Sequence, residues 1–134
     1  MKHNYASEWF QFADSDLASA EYLQGMHPQP MEIICYLCEQ SAEKYLKGYL
    51  IFMGAYSLPK THNLVFLCEK CSDFDDQFYS ILEVCSVLTR YGVQPRYPQE
   101  MEIHEHDMQQ ALSYARQIRD FGALANARHE ASQR

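Results

Sequence analysis

Gln40, Glu43, Lys44 and Lys47 recur at three- and four-residue steps, so a helix here sets amide, carboxylate and ammonium groups on one face. Such a row can hold a phosphate or the edge of a base, the lysines as point charges and the glutamine as donor and acceptor. It also has a plain reading, because Glu43 and Lys47 form an i, i+4 pair in the favourable order and suit a solvated or partner-facing stripe. His62 follows Thr61 at a helix start, where its ring can cap the helix or face a phosphate. Arg90, Arg96 and Tyr97 flank a stretch stiffened by Pro95 and Pro98, which suits phosphate binding with base stacking, or salt bridges that pin the loop. Asp16 shares a stripe with Ala13 and Ala20, where an unpaired carboxylate is costly, so a structural ion pair with Lys44, Arg90 or Arg96 is expected.

Two clusters invite a metal and are read otherwise. Cys35 and Cys38, and Cys68 and Cys71, form two Cys-x-x-Cys pairs, with Cys85 left over. Both pairs lie in apolar helical text instead of on the Gly-rich turns of a structural zinc site, so reduced core thiols are expected. Glu100 to Asp107 is rich in acids and histidines. On a helix His104 and His106 point to different sides, and they would share an ion only if the stretch were extended. The acids themselves suit a helix N-terminus. No metal and no cofactor is expected.

Helices must position these groups. Trp9, Ala13, Asp16, Leu17 and Ala20 mark a first helix, capped by Asn4 or Ser7 and ended by Gly25. A second runs from about Met31 to Met53, and Ile33, Tyr36, Leu37 and Ile51 carry its apolar surface beyond one side. Thr61 is the expected cap of a short third helix, and Ser72 or Asp73 that of a fourth ending at Gly92. Val93 to Ile103 reads as an ordered loop, and a fifth helix starts near His104. Residues 123–134 lose their periodicity and are expected to fray. No alternating run suggests sheet. The expectation is one all-α domain over residues 1–134, an antiparallel four- to five-helix bundle with its core over about 5–122. The excess apolar surface of the second helix predicts a homodimer.

Eighteen acids against eleven lysines and arginines give a formal charge of −7, unsuited to broad capture of nucleic acid but compatible with a local basic site. The start lacks a secretory pattern, and the longest uncharged stretch, Gly48 to Pro59, is too short to span a bilayer, so a cytoplasmic protein with no membrane partner is expected.

The motifs together resemble one family. Trp9 to Ala20, the run Gln40-Ser41-Ala42-Glu43-Lys44-Tyr45-Leu46-Lys47, Lys60-Thr61-His62-Asn63-Leu64, and Arg90-Tyr91 through Arg96-Tyr97-Pro98 are similar in order and spacing to HEPN domains. The resemblance runs from about Trp9 to Ile118 and has two branches. Small bacterial members resemble the C-terminal helical domain of kanamycin nucleotidyltransferase and pair with separately encoded minimal nucleotidyltransferases, in two-component or toxin-antitoxin-like systems. That branch implies a non-catalytic domain binding nucleotide or substrate, with Gln40, Lys44, Lys47, His62, Arg90, Arg96 and Tyr97 at the ligand. The other branch is a metal-independent ribonuclease toxin, acting on RNA through an Arg and a His four to six residues apart. Here Arg96 and His104 have seven residues between them and Arg90 and His104 thirteen, so the ribonuclease, with Arg96 and His104 as its residues, is the alternative. A helical interaction scaffold without a small ligand is a third reading.

Overall fold

The computed structural model describes residues 2–93 and 102–133, and every regular element among them is helical. α1 spans Lys2–Leu23, α2 Met31–Phe52, α3 Leu64–Ser72, α4 Leu82–Leu88 and α5 Glu105–Ser132. Single 3-10 turns at Asp76–Ile81 and Thr89–Gly92 lead into and out of α4.

α2 is the axis around which the rest is built. Nearly every residue from Ile34 to Phe52 is buried, because α1, α3, α5 and the Thr89–Gly92 turn all pack on it. Ala13, Leu17 and Ala20 of α1, Leu46, Tyr49 and Leu50 of α2, Leu64 and Leu67 of α3, and Leu112 and Ile118 of α5 belong to one core. Burying a Leu or Ile contributes about 1.5–3 kcal/mol each, so helix-on-helix packing supplies most of the stability. α1 crosses α2 closely because the facing residues are small. A Cβ on Gly48 would lie 2.6 Å from the Phe10 ring, and Ser41 Oγ donates to the Ala13 carbonyl at 2.8 Å. Most of the wide apolar surface of α2 is therefore consumed within one chain, with Tyr36, Leu37 and Ile51 already half-buried. Of the residues from which a dimer was expected, Ile33 alone stays exposed.

Several element ends differ from the sequence reading. α1 starts at Lys2, ahead of Asn4 and Ser7, and Ala6 is already in the core. α3 is capped by Asn63, whose side chain accepts from the Val65 and Phe66 amides, while Thr61 accepts only from the Asn63 amide. Asp75 caps the turn before α4, and Ser72 stays inside α3. His104 is the extended residue just before α5 and not part of it. The expected fraying beyond Gly122 does not occur, since α5 continues to Ser132. Ala125 is buried, Arg128 pairs with Asp75 at 2.7 Å, and the His129 ring packs edge-on to Phe52 at 5.5 Å.

The five cysteines are buried free thiols. Cys68 and Cys71 donate to the Phe78 and Leu46 carbonyls, and burial pushes Cys35 and Cys38 up to about 12. Thiols so hard to ionise behave as small apolar residues. No helix among the described residues is long and apolar enough to cross a membrane.

Candidate functional site

Cys35, Glu39, Glu43 and Lys47 follow one another at four-residue intervals along α2. That spacing keeps them on one slowly turning stripe. A different part of the chain meets each. Arg90 and Asp107 bear on Cys35, Gly92 lies over Glu39, His62 reaches Glu43, and the Trp9 ring stands 5.9 Å from the Lys47 ammonium. The stripe is a covered ladder, not a solvated face.

Each rung is held by a specific contact. Lys47 Nζ donates to Glu43 Oε2 at 2.9 Å, and His62 Nδ1 lies 2.9 Å from Oε1 of the same carboxylate. Lys47 and Glu43 are almost fully buried, whereas the His62 side chain is 76% exposed. The Gln40 amide donates to Glu39 Oε1 at 2.8 Å, but Glu39 Oε2 is buried with no partner. Burial first, and then the charge of Glu43, push the Glu39 carboxyl up to about 8, against the opposing pull of the Gln40 amide. At neutral pH Glu39 is therefore mostly a neutral acid. Gly92 is required there, because a Cβ would come within 2.8 Å of that carboxyl.

The last rung is the start of α5. Asp107 Oδ2 accepts the His104 backbone N–H at 2.9 Å, which is the main reason its carboxyl sits below the usual range, with His106 and Arg90 adding to the effect. Arg90 Nη2 lies 3.6 Å from Asp107 Oδ1 and His106 Nε2 3.4 Å from it. The His104 and His106 rings stack at 5.8 Å, which the extended backbone of His104 allows and a helical one would not. Among the described residues no group of three or more His, Cys, Asp or Glu side chains is arranged to hold a metal ion.

The ladder gathers Gln40, Lys47, His62 and Arg90 from the residues expected at a ligand. Lys44 turns the other way, to Asp16 on α1 at 2.5 Å. Lys44, Lys47 and Arg90 each face a carboxylate, so these cations do not form a bare positive hollow. Arg96 and Tyr97 lie outside the described residues. Sequence reasoning gave Glu39, Trp9 and Asp107 no place at the ligand. Glu39 carried a signal, an acid four residues before Glu43 within apolar text; the approach of Gly92 to it carried none.

The family model for the HEPN domain matches residues 6–126. Two solved structures share the fold. The crystal structure of TT1696 from Thermus thermophilus has a TM-score of 0.75 and 24% identity, covering 90% of this chain and 97% of that one. ST0689, described as an archaeal HEPN homologue, has a TM-score of 0.70 and 23% identity over the same shares of each chain. No curated protein sequence matches the chain.

Proposed function

The chain belongs to the HEPN domain family, and we propose that it is a non-catalytic binding domain that presents a nucleotide or nucleotide-like substrate to a separately encoded nucleotidyltransferase. One observation carries this reading. Three donor groups stand along the ladder, each anchored on an acid: Gln40 on Glu39, His62 on Glu43 and Arg90 on Asp107. A donor already held in place loses less freedom when it meets a ligand. The outward N–H groups of Gln40 and Arg90 remain to meet phosphate oxygens or a base edge, while a neutral His62 held through Nδ1 offers its Nε2 as an acceptor. Because each donor is matched by an acid, selection rests on hydrogen-bond geometry and not on bulk positive charge, which suits a chain of net charge −7. Arg96 and Tyr97, between Gly92 and His104 in sequence, belong to the same proposal. Metal and chemistry come from the partner. A homodimer is part of it too, supported by the exposed Tyr5 and Phe12 side chains on α1.

Calorimetric titration with nucleoside mono- and triphosphates and with short RNA tests the reading. Saturable binding is expected, weakened about tenfold by Arg90→Ala or His62→Ala. Absence of binding, together with failure to copurify with a co-expressed nucleotidyltransferase, overturns it.

A second reading is favoured by one feature: Arg90 and His106 both approach Asp107 Oδ1, and the His104 ring stacks on that of His106, although thirteen residues separate Arg90 from His104 in sequence. An exposed guanidinium beside imidazoles is the equipment of metal-independent RNA cleavage, with the cation stabilising charge and a histidine moving the proton. Incubation with RNA in chelator separates the readings. Cleavage lost in Arg90→Ala and in His104→Ala establishes the enzyme.

A further inference from the structure

Two of the groups proposed to meet a ligand, Gln40 and Arg90, are tied to one buried acid. Glu39 has no exposed surface, and its two oxygens meet different neighbours. Oε1 accepts the Gln40 amide at 2.8 Å. Oε2 has no hydrogen-bond partner and lies against Gly92, 2.8 Å from where a Cβ would stand. Gly92 closes the Thr89–Gly92 turn, and Arg90 belongs to that same turn.

The two ends of the turn are held differently. At its start Thr89 Oγ1 accepts the Leu64 amide at 3.0 Å and donates to the His62 carbonyl at 3.4 Å. At its end Gly92 rests on the Glu39 carboxyl, and Val93 beyond it is 75% exposed. Between them Tyr91 is buried, with its ring 4.7 Å from the Arg90 guanidinium and its hydroxyl accepting from Arg90 Nη2 at 2.5 Å. A shift of the Gly92 end therefore reaches Arg90 through Tyr91.

The charges around Glu39 leave it without a partner. On α2, Glu43 opposes its ionised form, while Lys44 and Lys47 favour it but are already paired with Asp16 and Glu43. His62, ahead of α3, is on Glu43, Arg90 of the turn is on Asp107 of α5, and neither bonds Oε2. A protonated carboxyl can rest against the Gly92 backbone as a neutral group. An ionised one puts a full charge there with no donor turned to it, which is far more costly to bury. Relief comes from water, and water enters where the turn is held least, at Gly92.

We propose that Glu39 is a positioning residue whose proton sets the ladder: with the proton bound it seats Gly92 and holds Gln40, and with the proton gone the Gly92 end of the turn lifts and carries Arg90 away from Asp107. The carboxyl is held up to about 8, chiefly by its burial, so the change falls just above neutral pH. Its bearing on a ligand rests on the ladder being a binding site; the movement of the turn does not.

The test follows the full chain by carbon-detected NMR from about pH 6.5 to about pH 9.5, reading the Glu39 carboxyl, Gly92 carbonyl and Arg90 guanidinium carbons. One midpoint near pH 8 shared by all three is expected. Glu39→Gln, neutral and of the same size, should leave the Gly92 and Arg90 signals flat, while His62, His104 and His106 stay in place to reveal any titration of their own. Calorimetry with adenosine monophosphate should show about fivefold weaker binding at pH 9 than at pH 7, and equal binding at both in Glu39→Gln. A Glu39 carboxyl already ionised at pH 6.5, a Glu39 titration that Gly92 and Arg90 do not follow, or a pH dependence of those signals or of affinity that survives Glu39→Gln each overturns the proposal. No binding of the nucleotide at either pH would overturn the ligand reading, and the NMR titration would still decide the movement. Should Glu39→Gln fail to fold, the agreement or disagreement of the three midpoints in the unaltered chain decides.

Discussion

Glu39 and Glu43 stand one turn apart on the same side of α2, both buried, and their two neighbourhoods handle a buried acid in opposite ways. Around Glu43 the chain supplies one cation and one imidazole: Lys47 on one oxygen, His62 on the other, and the Trp9 ring behind the ammonium. Around Glu39 it supplies one neutral amide, one unpaired oxygen and a glycine whose missing side chain leaves room for the carboxyl. The first neighbourhood keeps its acid as an ion pair; the second keeps it as a proton-bearing acid up to about pH 8. A stripe that reads as evenly charged thus holds an ion pair beside an uncharged acid.

Removing the cation is the most disruptive way to break this contrast. Lys47→Met strands Glu43 with only the exposed imidazole as partner, and a cost of about 3 kcal/mol is expected in urea unfolding, because stranding a buried charge costs more than the pair contributes. Adding Glu43→Gln should recover most of that loss. A single-variant cost below about 1 kcal/mol would mean that water already reaches Glu43 and that the two turns do not differ.

Titration reads the Glu39 side next. Its folded-state value of about 8 lies above the ordinary 4.5. The unfolded chain therefore releases this proton first as pH rises, and the folded state loses relative stability between about pH 4.5 and pH 8. The contribution is fully present below 4.5 and gone above 8. It amounts to about 2–3 kcal/mol once relaxation of a buried site is allowed for. Glu39→Gln should flatten that part of the stability curve, measured as melting temperature against pH. A parallel curve for wild type and variant would show that Glu39 is ionised throughout.

A smaller effect is expected from Gly92→Ala. The new methyl must displace the Glu39 carboxyl, at a cost of about 1–2 kcal/mol. In a Glu39→Ala background the same change should cost about 1 kcal/mol less, since the space in front of the methyl is then empty. Additive losses would place the difficulty in the backbone of the Thr89–Gly92 turn and not in the carboxyl.

Helical spacing disclosed five helices and set α2 within a residue of its observed end, because three- and four-residue periods are written locally. The fourth, expected from Ser72 or Asp73 to Gly92, is α-helical only over Leu82–Leu88. The fate of the polar stripe was not local. On a helix at the edge of a bundle, Glu43 and Lys47 would face water; on this central helix α1 packs over them with Trp9 beside Lys47, and His62 reaches Glu43. Thr61 and Asn63 are both good caps, and the position is settled by Thr89, whose hydroxyl accepts the Leu64 amide from 25 residues away. The end of α5 was obscured because its buried face carries Ala125 and the half-buried His129, which no apolar count registers. Of the ligand-facing residues expected, Gln40, Lys47, His62 and Arg90 share the ladder, while Lys44 goes to α1. Its partner there, Asp16, stands where an unpaired carboxylate on an apolar stripe required a cation.

His62 supplies the finest test of the contrast, because its side chain stands in solvent while that of Lys47 does not. Its bond to Glu43 matches that of Lys47 in length, at 2.9 Å. The two differ in exposure, 76% against 11% of the side chain. An ion pair or hydrogen bond worth having in a dry site is worth little when water competes for one member. His62→Ala should therefore change unfolding stability by less than about 0.5 kcal/mol, several-fold less than Lys47→Met. If it instead costs as much as the lysine, Glu43 is held from both sides and the ladder is a structural clamp. If stability is unmoved while nucleotide affinity falls, the imidazole is kept at the surface for the ligand, and Glu43 serves chiefly to aim it.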